Sequence, residues 1–88
     1  MDHLDVYHSA SPVAHPRIGT VVPLHRRRAV DRNLLKRRLR EVLRQDILPR
    51  LQARDVAVDV VVRARHRAYE ARFAELKEEL LEWLEHRL

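Results

Sequence analysis

The chain has no cysteine, one glycine, four aromatic residues and two serines among 88 residues. Without cysteine there is neither a disulfide framework nor a thiolate metal site, which agrees with a reducing compartment. One glycine cannot build the glycine-rich loops that cradle nucleotide phosphates. The two serines, Ser9 and Ser11, sit in a proline-containing stretch without the Gly-Ser-Gly geometry of a hydrolase elbow. No apolar run approaches the roughly 20 residues that cross a bilayer, and Met1-Asp2-His3 carries no basic-then-apolar signal pattern. The expected location is cytoplasmic, with no membrane partner.

Charge is what the chain has in quantity. Eighteen Lys and Arg stand against 13 Asp and Glu, a net +5. Residues 25–54 hold eleven of those basic residues and three acids, a local net charge of +8, so the excess is concentrated in one third of the chain. Ten of the eleven are arginine, whose planar fork matches phosphate oxygens and stacks on bases. Such a segment attracts polyanions and does little for folding, which points to nucleic acid.

The aromatics (Tyr7, Tyr69, Phe73, Trp83) are too few for the paired stacking platform of an RRM sheet, and a KH Gly-x-x-Gly loop is impossible. Six histidines (His3, His8, His15, His25, His66, His86) show no paired ligand spacing, so no metal site is expected. No nucleophile–base constellation is present, and no catalytic residue is assigned. What remains is phosphate-centred binding by an arginine-rich helix beside a sheet.

The elements can be placed from periodicity. Residues 4–8 alternate as a half-buried strand, residues 9–16 read as a turn, and Ile18 to Val22 form a short β-branched strand closed by Pro23. Gly19 inside that strand suggests a bulge or a close backbone approach. After the basic loop at 25–28, Asp31 is the candidate N-cap of a helix. Leu35, Leu39, Val42 and Leu43 form its core stripe, and Pro49 should end or bend it near Leu48. At about 100° per residue, Asn33, Lys36, Arg37, Arg40 and Arg44 share one flank of that helix. Arg38 takes the other flank and Leu34 the solvent side. Asp55 to Val62 is the next strand. A closing helix carries Phe73, Leu76, Leu80, Leu81, Leu84 and Leu88 opposite its glutamates, with Trp83 as a packing residue. The order is β-β-α-β-α, or one strand more if the first segment divides, in a single RNA-binding domain over residues 1–88.

The run Ala29-Val30-Asp31-Arg32-Asn33-Leu34-Leu35-Lys36-Arg37-Arg38-Leu39-Arg40-Glu41 resembles the signature of the bacterial ribonuclease P protein, an Arg-Asn-Arg tripeptide followed by Lys-Arg-Arg, an apolar residue and Arg-Glu. Pro16 to Val22 resembles the strand before that motif. Asp59 to Arg65 resembles the last strand, and Phe73-Ala74-Glu75-Leu76 the start of the last helix. Three departures stand out. Leu34 replaces the second arginine of the tripeptide, and Pro23-Leu24-His25-Arg26-Arg27 replaces a Ser-Lys-Lys-Val-Gly loop. Family members also begin with a further helix whose aromatics line a central cleft, to which nothing in this sequence corresponds. Its absence would leave an apolar sheet face open and favour a homodimer or element exchange.

The resemblance implies an α+β two-layer sandwich. A small mixed sheet would carry the basic helix and the C-terminal amphipathic helix, joined by a left-handed β-α-β crossover as in the second domain of a small-subunit ribosomal protein. It further implies an RNA-binding subunit of ribonuclease P, in which Mg²⁺ acts through the catalytic RNA to remove the 5′ leader of precursor tRNA. The protein alone is expected to be non-catalytic. Arg32, Asn33, Lys36, Arg37 and Arg40 correspond to the RNA-contacting helix, with Arg26, Arg27, Arg28 and Arg44 extending its charge. Val21 and His25 fall on the leader path. The rival readings are a truncated paralogue that binds structured RNA without a ribozyme role, and an oligomeric or swapped form of the minimal domain.

Overall fold

In the computed structural model, residues 2–87 are described; Leu88, the last position of the expected C-terminal stripe, lies outside them. Three strands form one mixed sheet in the order β1-β3-β2: β1 (Leu4–Ala10), β2 (Arg17–Val21) and β3 (Val58–Ala64). The central strand β3 pairs antiparallel with β1, Leu4 opposite Ala64, and parallel with β2, Ile18 opposite Val60. Alternation then sorts the side chains. Val58, Val60, Val62 and Ala64 are buried, whereas Asp59, Val61 and Arg63 face the other way.

The helices α1 (Ala29–Val42) and α3 (Phe73–Arg87) supply the buried side of the sandwich. Leu35, Leu39 and Val42 from α1 join Leu76, Leu80, Trp83 and Leu84 from α3 in one core with the inward residues of β3. The expected α+β two-layer fold is thus present, and Trp83 packs at 6% exposure as expected. Phe73 does not join that stripe. At the first turn of α3 it is 37% exposed.

Four local expectations are corrected. Asp31 is not the N-cap of α1; Arg28 is, in extended conformation and without a side-chain cap. Asp31 lies in the first turn, where its charge suits the helix dipole and sits 3.6 Å from Arg28 Nε. Nor does Pro49 end the helical run. A π turn at Leu43–Ile47 links α1 to α2 (Leu48–Ala53). There the Leu48 N–H donates to the Leu43 carbonyl five residues back. The widened turn lets Pro49 sit at the start of α2, where a missing N–H is tolerated.

The strand expected from Asp55 begins instead at Val58. Asp55 closes α2 at φ 55°, its N–H donating to Gln52 O at 3.1 Å and the Val56 N–H to Leu51 O at 3.3 Å. That pattern is a Schellman cap, with a left-handed aspartate in the glycine position and half-buried Val56 beside the core. Finally, β2 has no bulge at Gly19, which pairs in register with Val61, and a Cβ added there would meet nothing within 4 Å. A 3₁₀ turn at His66–Glu70 leads into α3. Periodicity does not reveal it, because so short a segment has no repeat to read.

Candidate nucleic-acid interface

The basic flank of α1 lies over the free edge of β2. Lys36, Arg40 and Arg44 line one wall of a groove, and Ile18, Gly19 and Thr20 of β2 line the other, with Leu43 and Leu48 between them. The three cations recur at i, i+4 and i+8, so one helical stripe carries all of them past the strand. None of the three makes an ion pair or hydrogen bond among the described residues. An uncompensated row beside an open groove is an electrostatic seat for a polyanion.

Asn33 and Arg37 stand one step further round α1. With Val30 and Leu34 they line a shallow depression on its outer surface. Leu34 is 38% exposed, as its place on the solvent side requires. Arg38 lies on the other flank, beside Arg27 and Tyr69.

The remaining expected contacts have structural partners of their own. Arg32 Nε donates to the Val22 carbonyl at 2.7 Å, tying the end of β2 to the first turns of α1. Arg27 donates to Glu70 Oε1 at 3.2 Å and its guanidinium lies 5.3 Å from the Tyr69 ring centroid. Tyr69 in turn donates to the Pro23 carbonyl at 2.5 Å. Arg28 leans toward Asp31, and Arg26 is exposed and unpaired among the described residues.

His25 and Arg26 form the middle of a tight turn, closed by the Arg27 N–H donating to Leu24 O at 2.8 Å. Their φ angles are 50° and 65°, a left-handed pair that side-chain-bearing residues rarely adopt. His25 Nε2 sits 3.4 Å from Ala64 O, with the His66 and Tyr69 rings edge-on at 5.8 and 6.2 Å. It therefore rests at the end of β3, apart from the groove.

Val21 is elsewhere, on the sheet face that no helix among the described residues covers. The register stacks three rows there: Ser9, Asp59 and Arg17; Tyr7, Val61 and Gly19; Asp5, Arg63 and Val21. Tyr7 is 58% exposed in the middle row. The first row is locked by a two-point ion pair, Arg17 Nε and Nη2 donating to Asp59 Oδ1 and Oδ2 at 2.8 and 2.7 Å. The Arg17 hydrogen bond holds the Asp59 carboxyl below the usual aspartate range, and Asp59 raises Arg17. Arg63 has no such partner among the described residues. Sequence reasoning missed Tyr7, Val61 and Arg63 as surface groups, although the two-residue alternation of β3 would have separated Val61 from its buried neighbours.

Among the described residues no three His, Asp or Glu side chains converge as metal ligands, and no helix is long and apolar enough to cross a membrane.

Comparison with known proteins places this geometry in context. A family model described as Ribonuclease P matches residues 2–87. A curated ribonuclease P protein component from Idiomarina loihiensis is 37% identical over 81 residues, covering 89% of this chain and 59% of the relative's length. The solved ribonuclease P protein of Thermotoga maritima superposes with a TM-score of 0.79 at 27% identity, covering 100% of this chain and 79% of that one. The Staphylococcus aureus protein gives 0.68 at 25% identity, over 91% of this chain and 72% of its own.

Proposed function

The chain belongs to the ribonuclease P family, and from that premise we propose that it is the RNA-binding protein subunit of a ribonuclease P ribonucleoprotein. The RNA subunit cuts, and this protein helps it remove the 5′ leader of precursor tRNA. The observation that carries this reading is the unpaired cationic row Lys36, Arg40 and Arg44 above the β2 groove. Catalytic RNA and precursor tRNA are both polyanions that repel one another. A small cationic protein between them lowers that repulsion and releases counterions. Phosphate contacts position without reading sequence, so base preference is slight.

Within this assignment Lys36, Arg37, Arg40, Arg44 and Asn33 contact RNA directly, and Arg26 adds charge at the loop. Arg27, Arg28 and Arg32 shape the surface through their internal bonds and offer only their outer N–H groups. The leader follows the uncovered sheet face past Val21, where Tyr7, Val61 and Arg63 supply apolar surface and one cation. His25 holds the end of that path rather than its floor. In this reading Mg²⁺ acts through the RNA subunit and is not held by this protein's side chains alone. The reaction is cytoplasmic.

Reconstitution tests the reading. Wild-type protein with a bacterial ribonuclease P RNA should speed release of the 5′ leader, and protein without RNA should cleave nothing. The variant Lys36→Ala/Arg37→Ala/Arg40→Ala should fold normally and bind the RNA more weakly. Its log-affinity against log-salt slope should be shallower by roughly one unit or less for each phosphate that is no longer neutralised. Unchanged affinity and slope would place the RNA elsewhere.

Self-association is the second reading, favoured by the exposed Tyr7, Val21 and Val61 on one sheet face. A homodimer would show as a concentration-dependent mass in solution and would be abolished by Tyr7→Ser.

A further inference from the structure

The only glycine in the chain has no internal use in the fold. Gly19 lies mid-strand in β2, its φ is not positive, and it pairs with Val61 without a bulge. A Cβ added there meets nothing within 4 Å. Glycine nevertheless weakens a strand, through backbone entropy and the packing surface it lacks. Open space, ordinary angles and a destabilising residue type together indicate that something outside the chain needs the room.

The surroundings define what. β2 is an edge strand, and Gly19 occupies the boundary between two surfaces. On one side is the uncovered sheet face, where the middle row runs Tyr7, Val61, Gly19. On the other is the groove under Lys36, Arg40 and Arg44, which Gly19 also lines. The neighbours on the same face of β2 stand to either side of this gap: Arg17, held on Asp59, and Val21, 43% exposed. Side chains stand roughly perpendicular to a sheet, so any residue at position 19 would rise between them and block the passage.

We infer that Gly19 is a crossing point, where one single-stranded RNA passes over the β2 backbone from the sheet face into the basic groove. The inference rests on the RNA-binding reading above and deepens it. A single strand has the matching chemistry: flat bases for Tyr7 and Val61 and a phosphate backbone for the unpaired cations beyond the rim. A duplex keeps its bases stacked inside and can use the cations alone.

The variants Gly19→Ala and Gly19→Val test the crossing, each measured for thermal stability and for binding to two probes. The probes are a short unstructured RNA oligonucleotide and a blunt RNA duplex. Both variants should melt at or above the wild-type temperature, because the added side chain enters open space and restricts the unfolded chain. Affinity for the single strand should fall in the order Gly, Ala, Val, by about tenfold for Val, comparable to unstacking one base from an aromatic ring. Duplex affinity should be unchanged. The inference is overturned if Gly19→Val binds the single strand like wild type, if both probes lose affinity equally, or if Gly19→Ala lowers the melting temperature. A wild type that binds neither probe removes the RNA-binding reading itself, whereas a wild type that binds both while Gly19→Val matches it removes only the crossing.

Discussion

Arginine does two different jobs within a few residues of this chain. Arg32 and Arg37 stand five apart on α1, yet only Arg32 has a partly buried bond, to the Val22 carbonyl. Truncating it leaves that carbonyl without its donor and loosens the junction between β2 and α1. Arg32→Ala should therefore lower stability by about 1–3 kcal/mol in urea unfolding. Arg37→Ala should stay within about 0.5 kcal/mol, as an exposed substitution does. Equal effects would mean that the Arg32 bond contributes nothing to the fold. A sequence pattern treats both as members of one basic run, because the carbonyl that captures Arg32 comes from another element.

At the scale of elements, the sheet is closed at one end by chemistry as well as by ladder bonds. Arg17 on β2 and Asp59 on β3 face each other in register, and their two-point pair lowers the Asp59 pKa. A lowered folded pKa stabilises the fold above the unfolded value, and the gain is lost as pH falls through the lowered one. Wild type and Asp59→Asn should therefore have similar denaturation midpoints in strong acid. The wild type should become the more stable as pH rises through about 4, and the difference should hold at neutrality. A constant gap at all pH values would show that the pair is not what Asp59 contributes. Glu75 behaves alike at the start of α3, lowered chiefly by the Arg72 N–H that donates to it at 2.9 Å. It satisfies the N–H of the residue just before that helix, in the manner of half a capping box.

On the scale of the whole molecule, charge is segregated. The cationic stripe of Lys36, Arg40 and Arg44 runs along α1 into the π turn, while Glu78, Glu82 and Glu85 of α3 are exposed. An acidic helix contributes nothing to RNA affinity, but it discourages wrong orientations of a polyanion at the protein surface. Glu78→Lys/Glu82→Lys/Glu85→Lys should raise affinity for unrelated duplex RNA at low salt more than for the ribonuclease P RNA. The ratio between the two should therefore shrink. An unchanged ratio would assign specificity to the cationic row alone.

By itself the sequence determined what short-range periodicity and composition can carry. The valines of β3, the leucine stripes of α1 and α3, the buried Trp83 and the one-sided charge of residues 25–54 were all legible, as was the motif that marks the family. These depend on which face a residue takes within its own element, and that repeats every 2 or 3.6 residues. Tertiary structure alone decided the rest. It placed Pro49 at the start of α2 through the π turn. It drew Arg27 and Arg32 inward, set His25 against Ala64, and brought Tyr7, Val61 and Gly19 into one row across three strands. Each of those outcomes depends on a partner far along the chain or on a change of helical register. The bonding capacity of a side chain is written in the sequence; which group stands within 3 Å of it is set only when the elements pack.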